Sequence, residues 1–363
     1  MRRPYLDWLR GIAVLIMIEA HTLDSWTRVA DKQSSAYQWA VLIAGYGAPI
    51  FLFLAGITLV LAAGGRLRKG FTHAEVTRAA VRRGAWILAL AFLFRLQSFL
   101  ISGGRFPQAL LKVDILNVMG VSMLVAAIGW GAAATLRRRL LLFAAVTVAV
   151  AMATPLIRSW SALSVLPDSL EAYLRPRPGL TNFTLFPWAA FFTSGCVAGA
   201  WLDARQPGDD GRFMRWVGLA GSALAAGGYG ASFLPPIYPE TSFWTSSPTF
   251  LFLRLGVLLI LLAGAYQLGR VWRWEPLQEF GRASLFVYWV HVELVYGVIS
   301  APIHRRLPFP VAVAAFIAFT AAMFGLVRLK DAFQRWRGRP TESGRDPGRA
   351  SLSANRPVSR NSI

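Results

Sequence analysis

Tyr5-Leu-Asp7-Trp-Leu-Arg10-Gly11-Ile-Ala-Val-Leu-Ile-Met-Ile-Glu19-Ala-His21-Thr-Leu-Asp24 is a membrane-length apolar segment that carries charge where bare lipid would not tolerate it. On an α-helix, the eleven-residue step from Arg10 to His21 is three turns plus roughly 20°, so both face the same way, about 16 Å apart along the axis. Ionisable groups inside a spanning helix are costly and face a cavity or a partner. A basic group and an imidazole on one interior face suggest a path for a long, anionic, reactive molecule. Asp24, three residues beyond His21, falls on a neighbouring face from which it can orient the imidazole. Glu19 points roughly 200° away from His21 and serves another contact. The segment has no small-residue cleavage site, so it reads as a retained helix and not a signal peptide.

The rest of the chain is in keeping with a membrane. Of 363 residues, 55% are hydrophobic and only 15% charged, with a mean hydropathy of +0.46, which is too apolar for a soluble domain. The net charge of +20 reports loop charge, not a nucleic-acid surface. Cys196 is the only cysteine, which excludes an intrachain disulfide and a Cys-rich metal site, and no two histidines have metal-ligand spacing. Hydropathy predicts ten spans, near 8–27, 39–63, 82–102, 113–133, 139–157, 184–203, 214–234, 250–270, 279–300 and 310–329. The span at 139–157 is apolar all round and should lie at the periphery. Alternate loops are basic: 64–81 with Arg66, Arg68, Lys69 and Arg78, then Arg137 to Arg139, then 203–215, 270–280 and the C-terminal tail. The intervening loops are poorer in Lys and Arg, so both termini should be cytoplasmic. After Asp331 the chain becomes polar, Arg-rich and rich in Pro, Gly and Ser. The expected organisation is an all-α, polytopic transmembrane bundle of about ten helices over residues 1–335, with a disordered basic tail at 336–363. A multi-pass protein of a bacterial plasma (inner) membrane is the expected setting.

Helix direction places the polar groups by depth. Arg10 lies near the cytoplasmic face, and His21 in the outer half with Asp24. Asp114 and Asn117 begin the fourth span from the outer side. His291 and Glu293 sit in the outer half of the ninth, and Arg95 and Arg254 also fall at this level. Each has a bland alternative: a helix-start ion pair for Asp7 and Arg10, a packing role for His21, a cap on the helix end for Asp24. Asp114 has the alternative of an N-cap, His291 that of a structural residue, and Arg95 and Arg254 that of snorkelling to the interface. His73 and His304 read as solvated loop residues. Gly195-Cys-Val-Ala-Gly199 fits close helix packing, and Asn182-Phe-Thr184 matches a glycosylation acceptor that is common by chance.

Leu6-Asp7-Trp8-Leu9-Arg10-Gly11-Ile12-Ala13 followed by His21 resembles the first helix of the transmembrane acyltransferases, which include the acyltransferase-3 proteins and the group named after heparan-alpha-glucosaminide N-acetyltransferase. The arginine, ten intervening residues and a histidine match the acyltransferase-3 signature. Asp114-Ile-Leu-Asn117-Val-Met-Gly120 and Phe186-Pro-Trp188 are similar to the heparan branch, and Phe280-Gly-Arg-Ala-Ser-Leu-Phe-Val-Tyr288-Trp-Val-His291 to both. The resemblance implies helices around a central pore and acyl-CoA, most simply acetyl-CoA, as co-substrate entering from the cytoplasm, with no permanently bound cofactor. The acceptor, usually a saccharide, lies on the far side. It implies His21 as the catalytic histidine. No histidine follows His21 in the next loop, where the heparan branch places its own, and the lumenal domain of the lysosomal enzyme is missing, so acceptor identity does not transfer.

The expected roles are therefore His21 and Asp24 in catalysis, Arg10, Arg66, Arg68 and Lys69 on the CoA phosphates, and Asp114, Asn117, His291, Glu293 and Arg95 on the acceptor, with no metal. The rival reading is a transporter or proton-coupled permease with His21, Asp24, His291 and Glu293 as a relay. The chain shows neither the repeated halves nor the broken helices common in transporters.

Overall fold

The computed structural model describes residues 3–102, 106–205, 210–239, 241–272 and 275–337. Its organising element is α1 (Pro4–Trp26), which opens with Pro4 in its first turn and carries Asp7 there, both favourable at a helix N-terminus. The remaining helices follow as α2 (Ser35–Ala44), α3 (Gly47–Leu67), α4 (His73–Ser102), the short α5 (Gln108–Leu111), α6 (Ile115–Ala132), α7 (Leu136–Ser159), α8 (Asp168–Leu174) and α9 (Leu185–Asp203). Then come α10 (Asp210–Ala231), α11 (Pro248–Val271), α12 (Glu275–Arg282), α13 (Ser284–Tyr296) and α14 (Phe309–Arg337). No strand occurs among the described residues. The fold is an all-α bundle.

Seven described helical segments are long and apolar enough to cross a membrane, one of them the combined Ser35–Leu67 stretch of α2 and α3. Together they make the chain a multi-pass membrane protein. The other three expected spans coincide with α1, α10 and α13, which do not meet that criterion. For α1 the reason is physical. It packs against α2, α3, α11, α12, α13 and α14, so its charges meet protein and cavity in place of lipid. The helix of the tail region continues to Arg337, and the rest of the expected tail lies outside the described residues.

Close packing rests on glycines that face backbone. A Cβ on Gly11 would come within 2.0 Å of the Leu277 carbonyl oxygen, and one on Gly281 within 1.9 Å of the Asp7 oxygen. These reciprocal contacts join α1 to α12. The same device joins α3 to α9, where a Cβ on Gly56 would meet the Phe192 oxygen at 2.0 Å and one on Gly195 the Phe53 oxygen at 2.0 Å. Gly199 packs on Ile57 one turn on, so the Gly195–Gly199 motif is a helix-packing face. Lipid supplies no hydrophobic drive between helices, so small residues at such faces gain their energy from close dispersion contact. α7 buries Phe143, Thr147, Ala151 and Thr154 and exposes Leu141, Val148 and Leu156; it lies on α9 at the periphery.

Two backbone clips close the end of the bundle nearest His21. The first joins the α1–α2 loop to the residues before α14: Arg28 N donates to Leu307 O at 2.9 Å, Leu307 N to Trp26 O at 3.0 Å, and Phe309 N to Asp31 Oδ2 at 2.7 Å. The second joins the start of α6 to the segment after α8. There Val113 N donates to Leu180 O at 2.8 Å and Asn182 N to Val113 O at 2.9 Å. The long segment 158–182 forms a cap that folds around buried Glu171, which pairs with Arg175 and Arg177.

Candidate active site

Eleven residues after Arg10, α1 presents His21 to α13. His21 Nδ1 and His291 Nε2 are 2.7 Å apart, with their rings within 4° of parallel. The other nitrogen of His291, Nδ1, lies 2.7 Å from the Val287 carbonyl oxygen one turn earlier on α13. A carbonyl only accepts, so His291 Nδ1 carries a proton. In neutral His291, Nε2 is then a lone pair, and His21 must donate to it from Nδ1. Neutral His21 is thereby held with Nε2 unprotonated, and no hydrogen bond reaches that atom among the described residues. The dyad orients one ring, fixes its tautomer and leaves one basic nitrogen on the wall of a cavity. His291 is completely buried.

The cavity has a volume of about 940 Å³ and is lined by α1, α3, α4, α6, α12 and α13. His21 and Asp24 line it, and so does Arg10. Helix register separates its two ends. Gly281 packs on Asp7 and Gly11, which brings Arg282 level with Arg10. Trp289 Nε1 donates to Gln97 Oε1 at 2.7 Å, which sets the later half of α4 beside α13. Arg83, some 21 Å earlier along α4, therefore falls at the Arg10 end. Arg10, Arg83 and Arg282 all line the cavity there. At the other end stand His21, Asp24, Arg95, Lys112, Asp114 and Tyr296. A cavity with three guanidiniums at one end and an imidazole at the other suits an extended ligand with phosphates at one terminus and a reactive group at the other.

The expected site residues divide accordingly. Arg10 is on the cavity and also pairs with Asp7 at 3.3 Å, so the ion pair and the cavity position coexist. Arg66, Arg68 and Lys69 are exposed and do not line the cavity; Arg68 pairs with Asp203 at 2.8 Å. Asp24 lines the cavity but binds Lys32 Nζ at 3.0 Å and the Tyr296 hydroxyl at 3.3 Å, not His21. His21 takes its orientation from His291 instead. Asp114 is the N-cap of α6, with Oδ1 accepting from Ile115 N at 2.8 Å and Oδ2 from Arg95. Asn117 completes the capping box, accepting from Asp114 N at 3.0 Å, and donates to Tyr173 at 3.1 Å. It is buried behind the cavity and does not line it. Glu293 lies off the cavity and forms no hydrogen bond with either histidine among the described residues. Arg254 stacks over Phe250 at 4.3 Å, away from the cavity.

The two loop histidines are engaged, not simply solvated. His73 Nε2 is 3.0 Å from an Arg139 nitrogen and its ring stacks on Trp130, while His304 Nδ1 meets Ser25 Oγ at 3.1 Å. Sequence reasoning missed Arg83, Arg282, Lys112 and Tyr296 as cavity residues. The late-helix motif that contains Arg282 was a signal that could have found it; the others depend on which helix packs beside which. No group of three or more metal-ligating side chains occurs among the described residues.

The family model described as heparan-alpha-glucosaminide N-acetyltransferase, catalytic, matches residues 2–225. The match spans α1 to most of α10, and so contains Arg10, His21, Arg83, Arg95 and Asp114 but ends before Arg282 and His291. No curated protein matches the chain at a significant level.

Proposed function

The chain belongs to the heparan-alpha-glucosaminide N-acetyltransferase catalytic family, and from that premise we propose that it is a membrane-embedded acyltransferase moving an acetyl group from cytoplasmic acetyl-CoA to the hydroxyl or amine of an outward-facing saccharide. The observation that carries this reading is the single cavity bounded by Arg10, Arg83 and Arg282 at one end and the His21–His291 dyad at the other. The CoA phosphates bind the arginines, and the pantetheine arm extends about 16 Å to set the thioester beside His21. Two routes use the same nitrogen. In direct transfer, His21 Nε2 takes the acceptor's proton as its oxygen or nitrogen attacks the thioester carbonyl. The C–S bond breaks, and the imidazolium returns that proton to the CoA thiolate. In covalent transfer, Nε2 attacks the thioester carbonyl and the CoA thiolate leaves; the acceptor then attacks the acetyl-imidazolium carbonyl, its proton passes to the thiolate, and the acetyl–Nε2 bond breaks. In either case His291 Nε2 holds the Nδ1 proton of His21 and supports the cationic ring. In this reading the chain crosses the bilayer ten times with both termini in the cytoplasm, as loop charge indicates.

The test is transfer or hydrolysis of radiolabelled acetyl-CoA by the purified protein. Wild type should release the label from CoA to acceptor or water, and His21→Ala should abolish that release while acetyl-CoA still binds. Full activity of a well-folded His21→Ala protein would sink the assignment.

A further inference from the structure

Lys112 lines the cavity at its His21 end, on the short connection between α5 and α6. It has no hydrogen bond or ion pair among the described residues. Asp114 acts on it through charge alone, since its hydrogen bonds go to the Ile115 amide and to Arg95. Burial and the neighbouring Arg95 guanidinium push the Lys112 ammonium below the usual lysine range, against the opposing pull of Asp114. A cation held among such neighbours and facing a cavity is stabilised by an anion arriving from that cavity. A second group lies on the same side of that connection. The parallel clip pairs Val113 with Thr181, so Asn182 stands opposite Asp114, on the same side of the clip as Lys112 and diagonal to it, and Asn182 also lines the cavity. Its backbone N–H is used by the clip, but its side-chain amide has no partner among the described residues. The same Asn182 is the first residue of the glycosylation-like triplet, and its place on the cavity wall gives it a different use.

We propose that Lys112 and Asn182 form an acceptor subsite that holds an anionic group, a carboxylate, phosphate or sulfate ester, carried by the acceptor. The ammonium supplies the charge, the Asn182 amide donates a hydrogen bond, and the backbone clip fixes the two relative to each other. The anion binds at a distance from the atom that is acylated, so the subsite sets acceptor selectivity and orientation without taking part in the chemistry. The proposal rests on the acyltransferase reading for its role, though not for the binding itself.

Two readouts separate the two ideas. The first is calorimetric titration of the purified, full-length protein in detergent with glucosamine 6-phosphate and with glucosamine, in the absence of acetyl-CoA. Wild type should bind the phosphorylated sugar more tightly by about tenfold, Lys112→Met and Asn182→Leu should erase that preference, and Lys112→Arg should keep most of it. Equal affinity of wild type for the two sugars, or an undiminished preference in Lys112→Met, overturns the subsite. The second is acetyl transfer to each sugar. A selective rise in KM for the charged acceptor in Lys112→Met, with kcat and the KM for acetyl-CoA near wild type, supports the assignment. An equal loss with both acceptors marks Lys112 as structural and overturns it. Absence of any acetyl transfer by wild type, with the binding preference intact, would defeat the acyltransferase reading and leave the anion subsite standing.

Discussion

At the scale of single residues, the site turns on which nitrogen of His21 holds a proton. Val287 O fixes His291, and His291 fixes His21, so a backbone carbonyl two links away keeps Nε2 basic. Removal of His291 frees His21 to take the other tautomer and to rotate. We predict that His291→Ala lowers kcat by roughly 10²-fold with little change in the KM for acetyl-CoA. His291→Gln, whose side-chain oxygen can accept the Nδ1 proton, should recover part of the loss. Steady-state kinetics on both variants check this, and equal defects in the two would reduce His291 to a packing residue. The arginine end makes a complementary prediction. Arg83→Ala and Arg282→Ala should each weaken acetyl-CoA binding by about 1–3 kcal/mol, the value of a charge-assisted hydrogen bond. Arg68→Ala should not, because its guanidinium lies outside the cavity on Asp203. Direct binding of acetyl-CoA distinguishes them. The shared face of Arg10 and His21 was legible because helical period alone sets it. His291 as their partner was not, because residues 270 positions apart meet only through helix packing.

At the scale of elements, that packing depends on a few glycines. The α1–α12 contact is what brings Arg282 beside Arg10, and it leaves no room for a methyl group on Gly11 or Gly281. Gly281→Ala should therefore push α12 from α1, costing about 1–3 kcal/mol as overpacking does, and lower the thermal midpoint of the protein in detergent. Gly227→Ala on α10 is the control: a methyl group there would meet nothing within 4 Å, and its midpoint should equal or exceed that of wild type, since alanine favours the helix over glycine. The clip over the His21 end carries a pH prediction. The Phe309 amide and the Arg28 guanidinium hold the Asp31 carboxyl below its ordinary value. A depressed carboxyl stabilises the fold above its unfolded pKa and loses that contribution as pH falls through the folded value. Hydrogen exchange at the Phe309 amide, corrected for intrinsic rate, should thus stay protected from about pH 7 down to about pH 5 and fail only in stronger acid. Asp31→Asn should lose part of that protection across the whole range. The N-cap alternative for Asp114 and the small-residue face at Gly195 were both legible in the sequence, since each is a local pattern, whereas Asn117, expected on the acceptor, instead closes the capping box. The two clips were not, because they join loops distant in the chain by backbone atoms that carry no residue signature.

At the scale of the whole molecule, the positions of the helices were legible and their neighbours were not. Each of the ten expected spans falls on helical structure, with 39–63 divided between α2 and α3 and 279–300 between α12 and α13, because apolar length is a local property. The three that fall short of a spanning helix, α1 and α10 in apolarity and α13 in length, include the two that hold the histidines; on α1, function draws charge and polar atoms into a helix that protein, and not lipid, surrounds. The same logic makes sidedness the decisive property of the molecule. Arg10, Arg83 and Arg282 can meet cytoplasmic acetyl-CoA only if the loops that share their end, including Lys69, face the cytoplasm. The cap over 158–182 must then face outward. Cys196 is completely buried and is the single cysteine, so the wild-type chain is a silent background for thiol labelling. Cysteines introduced as Val165→Cys and Lys69→Cys, both at exposed positions, should then behave oppositely. In intact cells a membrane-impermeant maleimide should label the first and spare the second, and after permeabilisation it should label both. Reversed labelling would put the arginine end outside, where acetyl-CoA is not supplied, and would defeat cytoplasmic acetyl-CoA as the donor whatever the chemistry of the histidine dyad.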